Sequence, residues 1–240
     1  MKITMNRRMA GCLGIAFAAM TAVSEIRAQI DEEVIFQDDL VRQDSTVGIP
    51  MEESSPTVGE IYTGQGTLFN KGNATGEEEE ILKAFNDRPF VRPENAGFQS
   101  LTWNISNRFY ELMQGKVVTI SFDFYVGNRG GDGKGAIGII SFLNEGVSGR
   151  GWDLALKDNG TVSWWDGKEF HEADVTFDTD KVVPFKLVVD FDKSSYVATI
   201  GEHSFTGKLT EEVRGFRRLM LYNSTGVAFY YTDPKITCVP

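Results

Sequence analysis

Two aromatic side chains, Tyr125 and Trp165, occupy positions where a ring faces outward beside carboxylates. Tyr125 lies two residues after Asp123 in the run Ile120-Ser121-Phe122-Asp123-Phe124-Tyr125-Val126, and Trp165 directly precedes Asp166. An exposed ring can stack on the apolar face of a sugar while nearby carboxylates accept its hydroxyl groups. Asp123, Tyr125, Trp165 and Asp166 are therefore the candidate ligand-binding residues, with Asp153 a further acceptor. Packing beneath a neighbouring loop is the competing account of each ring. Trp152 and Trp164 take the inward parity of the same hairpin and are read as core.

Catalytic chemistry has fewer candidates. Retaining glycoside hydrolysis needs two carboxyl groups about 5–5.5 Å apart, a spacing that alternate residues on one strand face supply. The strand carboxylates Asp123, Asp190 and Asp192 have no glutamate at the matching offset. His171, between Glu169 and Glu172, and His203, in Gly201-Glu202-His203-Ser204, are the two histidines of the chain. Either can serve as a base, and surface placement explains both. No catalytic residue, metal ligand or cofactor is assigned. Asn128 and Asp132, in the glycine-rich segment 127–135, offer oxygen ligands to a structural calcium ion, although that segment follows neither P-loop nor EF-hand order. Glu77-Glu78-Glu79-Glu80 is read as a solvated helix start rather than a cation site.

The elements that must position these residues are almost all strands. Val118, Ile120, Phe122, Phe124 and Val126 alternate with polar residues, the period of a half-buried strand. Residues 135–143 are apolar on both parities, so the stretch 117–143 reads as two long antiparallel strands joined by a wide loop. Trp152, Leu154 and Leu156 alternate up to Asp158-Asn159-Gly160, a turn signal, and Val162 and Trp164 return. Asp166-Gly167 marks a second turn, and residues 170–177 a weaker strand. Val183, Phe185, Leu187, Val189 and Phe191 alternate again, before strands at 196–200, 204–206, 216–222 and 227–238. Upstream, strands are expected at 34–40, within 60–69 and at 99–106, with one short helix near Ile81 to Phe85. This pattern specifies an all-β sandwich or barrel with at most one short helix.

Residues 1–28 form a segment apart. Lys2, Arg7 and Arg8 precede an apolar run from 9 to 23, and Ile26-Arg27-Ala28 offers a cleavage point before Gln29. The run is short for a membrane span, so the expectation is a signal peptide, an exported periplasmic or extracellular protein, and a single domain over 29–240. Cys12 precedes the apolar run, which argues against a lipoprotein signal. Cleavage removes four basic groups (Lys2, Arg7, Arg8, Arg27) and one acidic group (Glu25), taking the formal charge from −10 to −13. That acidity argues against nucleic acid as a partner and disfavours acidic polysaccharides. Cys238 alone remains after cleavage, so no internal disulfide forms, and it is read as a small buried apolar group.

Several motifs, in order, resemble bacterial domains of the concanavalin A-like lectin/glucanase superfamily. They are the opening Phe36-Gln37-Asp38-Asp39-Leu40-Val41-Arg42 with Asp44-Ser45-Thr46-Val47-Gly48, the strand 120–126, and the hairpins Leu156-Lys157-Asp158-Asn159-Gly160-Thr161-Val162 and Val188-Val189-Asp190-Phe191-Asp192. The ending Phe229-Tyr230-Tyr231-Thr232-Asp233-Pro234-Lys235-Ile236 completes the likeness, which covers most of 34–239 and includes laminin-G-like hairpins. The resemblance implies a jelly roll of two antiparallel sheets, with first and last strands adjacent and a concave face that often binds glycans. The Glu-x-Asp-x-x-Glu strand of the family's glucanases and the Gln-x-His strand of alginate-lyase-type jelly rolls are both absent. The resulting expectation is a non-catalytic carbohydrate-binding domain with a polysaccharide or oligosaccharide partner. The alternatives are a hydrolase or lyase using Asp123 or His171, and a cell-surface structural or adhesion module that contacts protein.

Overall fold

Strict alternation over 117–126 gives one strand two chemically different faces, and the sheets are assembled around it. The computed structural model describes residues 32–42, 48–51, 55–60, 62–93, 101–127, 136–143, 150–166, 168–209, 213–223 and 229–239, with backbone alone for 136–143, 150–151 and 222–223. The first elements are strands β1 (Glu33–Gln37), β2 (Ile49–Pro50) and β3 (Gly66–Phe69), helix α1 (Glu77–Ala84), and strands β4 (Phe90–Pro93) and β5 (Leu101–Asn104). Helix α2 (Asn107–Met113) leads into β6 (Val117–Val126), β7 (Ala136–Leu143), β8 (Arg150–Lys157), β9 (Thr161–Trp165) and β10 (Phe170–Thr176). The chain closes with β11 (Val182–Asp190), β12 (Ser195–Ile200), β13 (His203–Lys208), β14 (Arg218–Asn223) and β15 (Phe229–Val239).

Among the described residues these strands form two antiparallel sheets. One has nine strands, ordered β13-β12-β11-β6-β15-β4-β3-β2, with β1 also paired to β15. The other has six, ordered β10-β9-β8-β7-β14-β5. The fold is an all-β, two-sheet antiparallel jelly-roll sandwich, with first and last strands adjacent as the motifs imply. Side chains of the two inner faces interdigitate in one core, where the Trp103 ring meets Phe122 at 5.9 Å and Trp152 meets Tyr196 at 5.0 Å.

Two features differ from the sequence reading. β6 and β7 are not partners, because β6 lies between β11 and β15 in the larger sheet while β7 lies between β8 and β14 in the smaller. The two strands therefore do not form a hairpin, and the candidate calcium ligands Asn128 and Asp132 lie outside the described residues. The second difference is α2, a helix beyond the single one expected. Ser106 caps it by accepting the Phe109 N–H at 3.4 Å, and Phe109, Leu112 and Met113 turn toward the core.

Helix α1 is the one anticipated near Ile81, and its position bears on the site. Ile81, Leu82 and Phe85 pack on Phe69, Phe90 and Tyr230, forming a satellite cluster on the outer face of the larger sheet. Four glutamates in its first turn favour the positive end of the helix dipole, and Glu78 holds Arg92 of β4 at 3.1 Å. At the β8–β9 turn Gly160 adopts φ +79°, and a Cβ there would meet the Phe177 carbonyl oxygen at 2.4 Å. The turn residue is glycine for both reasons.

Three tyrosines are built into the core, and alkaline titration should report them. Burial pushes the Tyr62 hydroxyl well above its usual range, Tyr231 is raised by the same cause, and Tyr196 is pushed up to about 12. A folded pKa above the unfolded value of about 10 means that the associated stability is complete below pH 10 and is lost as pH rises. Phenolate absorbance should therefore rise in two stages, the later one coinciding with loss of tertiary structure. A single step near pH 10 for all seven tyrosines, with the fold intact, would contradict this placement.

Candidate functional site

The four candidate ligand-binding residues do not converge on one surface. Asp123 and Tyr125 point outward from β6 in the nine-stranded sheet, because Phe122 and Phe124 take the core parity. Trp165 ends β9 in the six-stranded sheet and also points outward, since Trp164 packs against the core. Parity is as expected at all of these positions, but the two pairs belong to different layers of the sandwich.

On the larger sheet both residues already have protein partners. Asp123 Oδ2 lies 2.8 Å from Arg88, whose guanidinium also pairs with Asp233 and donates from Nε to the Phe85 carbonyl at 3.0 Å. Arg88 thus ties β6 to a bulge in β15, where Asp233 takes φ +51°. Burial acts to lower the Arg88 pKa, but its bonds to the two carboxylates outweigh this and raise it. The Tyr125 hydroxyl lies 3.4 Å from Asp180, and its ring meets Tyr230 edge-on at 6.1 Å beside the α1 cluster. Partial burial, then the Asp180 charge, raises the Tyr125 pKa.

The β9–β10 hairpin is arranged differently. Register places Trp165 opposite Phe170, with ring centroids 5.2 Å apart, and Phe170 remains 40% exposed. Asp166 Oδ1 accepts the N–H groups of Lys168 at 2.7 Å and Glu169 at 2.9 Å, which fixes the turn. Its Oδ2 lies 2.7 Å from His171 Nε2, and the imidazole leans on Trp164 at 4.9 Å. The Glu169 N–H, then His171, then the Lys168 N–H hold the Asp166 carboxyl well below the usual carboxylate range. The hairpin thus carries a two-ring apolar platform on its outward face, while the Asp166–His171 pair sits with Trp164 on the other face.

Asp153, the further candidate acceptor, is fully buried in β8 and is not open to a ligand. Phe170 was not singled out by sequence, although its place just after the Asp166-Gly167 turn, opposite Trp165, is the signal that identifies it. Among the described residues, no group of three or more His, Cys, Asp or Glu side chains is placed to hold a metal ion. No helix among them is long and apolar enough to cross a membrane.

No protein-family model and no curated protein matches the sequence. The chain is similar in structure to the binding domain of botulinum neurotoxin serotype G, with a TM-score of 0.50 and 12% identity. That match covers 85% of this chain and 47% of the other, so the chain spans about half the length of the toxin domain. It is also similar to a carbohydrate esterase from the Shiga toxin-encoding bacteriophage phi24B, with a TM-score of 0.50 and 13% identity, over 82% of this chain and 99% of the other. At these identities the likeness extends to the fold alone, a two-sheet β-sandwich.

Proposed function

We propose that this chain is an exported, non-catalytic carbohydrate-binding domain of the concanavalin A-like type, and that the β9–β10 hairpin contacts the glycan. This rests on the Trp165–Phe170 ring pair, which is outward on its sheet and leaves Phe170 40% exposed. Such a surface suits a pyranose, which buries its C–H face on a ring. At about 25 cal/mol per Å², a modest stacking contact is worth one or two kcal/mol. Asp123 and Tyr125 take no part in this contact, since they lie on the other sheet and Arg88 and Asp180 already engage them. The fold likeness supplies a scaffold shared with the phage esterase, while the ligand is argued from the hairpin alone.

Incubating the protein with a panel of neutral, amino and acidic polysaccharides, with chromatography of the products, tests the proposal. Binding without released oligosaccharide is expected. Released product would instead favour a hydrolase or lyase, with the Asp166–His171 pair the first place to look for its base. Absence of binding across the panel, with a stable protein complex in a pull-down, would favour the adhesion reading.

A further inference from the structure

A cleft lies along the same edge of the sandwich as the hairpin. β10 and β13 are the facing edge strands of the two sheets, and a cleft of about 240 Å³ opens where β10 ends and β13 begins. Its floor is apolar, made by buried Val183 and Ile200 with half-buried Phe177, and exposed Pro184 forms one flank. Its rim is polar, with Glu202 on the β12–β13 turn and His203 at the start of β13 facing Asp178 and Lys181 on the β10–β11 connection. Both walls are fixed by backbone bonds: Gly201 N–H donates to the Pro184 carbonyl at 2.9 Å and Asp180 N–H to the Val126 carbonyl at 2.8 Å.

We propose that this cleft is a subsite for a single neutral or amino-substituted pyranose ring, an inference that rests on the glycan-binding reading. The volume is below the roughly 300–1,000 Å³ of pockets that enclose drug-sized ligands, so it suits one ring rather than a chain segment. An apolar floor under a polar rim matches a pyranose, with C–H groups on its faces and hydroxyl groups around its edge. Charge sets the class. Lys181 is neutralised by Asp178 at 2.8 Å, while Glu202 has no ion-pair partner among the described residues. With His203 counted neutral the rim is therefore net negative, so it repels a uronic acid and attracts an amino sugar. Six steps along β10 at about 3.3 Å each separate the cleft from Phe170 by about 20 Å, so the subsite is distinct from the ring pair.

Amide spectra of the isotope-labelled protein, titrated separately with D-glucosamine, a methyl glucoside and D-glucuronate, test this. Glucosamine and the glucoside should shift resonances within 176–184 and 200–203 saturably, and glucuronate should bind roughly tenfold more weakly. Glu202→Gln, on an exposed turn, should abolish the preference for glucosamine over the glucoside, and Trp165→Ala should leave these shifts unchanged. Shifts confined to the β9–β10 hairpin would overturn the subsite while leaving the proposed function standing. Silence of 176–184 and 200–203 toward all three sugars would overturn the subsite, and equal binding of glucuronate would overturn its selectivity.

Discussion

Replacing Asp38 with alanine is expected to cost about 3–5 kcal/mol of stability, the range for breaking a buried charged pair on one side. The carboxylate is buried and makes four bonds. Oδ1 accepts the Leu40 N–H at 2.9 Å and Arg42 Nη1 at 3.1 Å; Oδ2 accepts Arg42 Nη2 at 3.0 Å and the Tyr62 hydroxyl at 2.7 Å. Its own N–H donates to the Pro234 carbonyl at 3.1 Å, linking the opening motif to the last strand. Alanine would remove the acceptor of the buried Tyr62 phenol and leave the half-buried Arg42 guanidinium only the Ser55 and Val41 carbonyls. For a chain of this size that loss lowers the melting temperature by on the order of 10 °C. Urea denaturation of wild type, Asp38→Ala and Asp38→Asn checks the result, with asparagine falling between the other two. A loss below about 1 kcal/mol for alanine would mean that water replaces the carboxylate, contrary to its burial.

The second large effect lies in the core. Phe122→Ala should cost about 3–5 kcal/mol, because its ring meets Phe185 at 4.7 Å, Trp103 at 5.9 Å and Tyr231 at 6.1 Å, with little room for the site to collapse. Leu187→Ala, fully buried in the neighbouring strand β11, should cost about 2–5 kcal/mol. Thr119→Ala, on the other face of β6, should change stability by about 0.5 kcal/mol or less, since Thr119 is only half-buried there. Comparable losses at Phe122 and Thr119 would show that the outer face of β6 is covered at that point.

These predictions separate what the sequence makes legible from what it does not. Alternation identifies the inward face of β6, β8 and β11 residue by residue, because a period of two is a local property. Which sheet a strand joins is non-local, so β6 and β7 read as partners although they lie in different layers. The candidate site divides for the same reason. Asp123 and Trp165 both have outward parity, and parity carries no information about which sheet is turned outward. Arg88 could not be matched to Asp123 and Asp233 from sequence, since those bonds join a connecting segment to two distant strands. Asp153 shows the limit of the parity argument itself: it takes the outward position yet is fully buried. The cleft at Glu202 and His203 has no motif, because its walls come from the ends of several strands. Helix α2 left a fainter trace, Ser106 followed by Phe109, Leu112 and Met113 at helical spacing.

On the proposed reading an outward ring pair, and not the face of β6, binds glycan. Titrating wild type and Trp165→Ala with the tightest-binding glycan from the panel, alongside melting curves of both, tests it most directly. Trp165→Ala should bind roughly tenfold more weakly, or by about 1.4 kcal/mol, with little change in melting temperature. Unchanged affinity with a large fall in melting temperature would make Trp165 a packing residue and contradict the assignment.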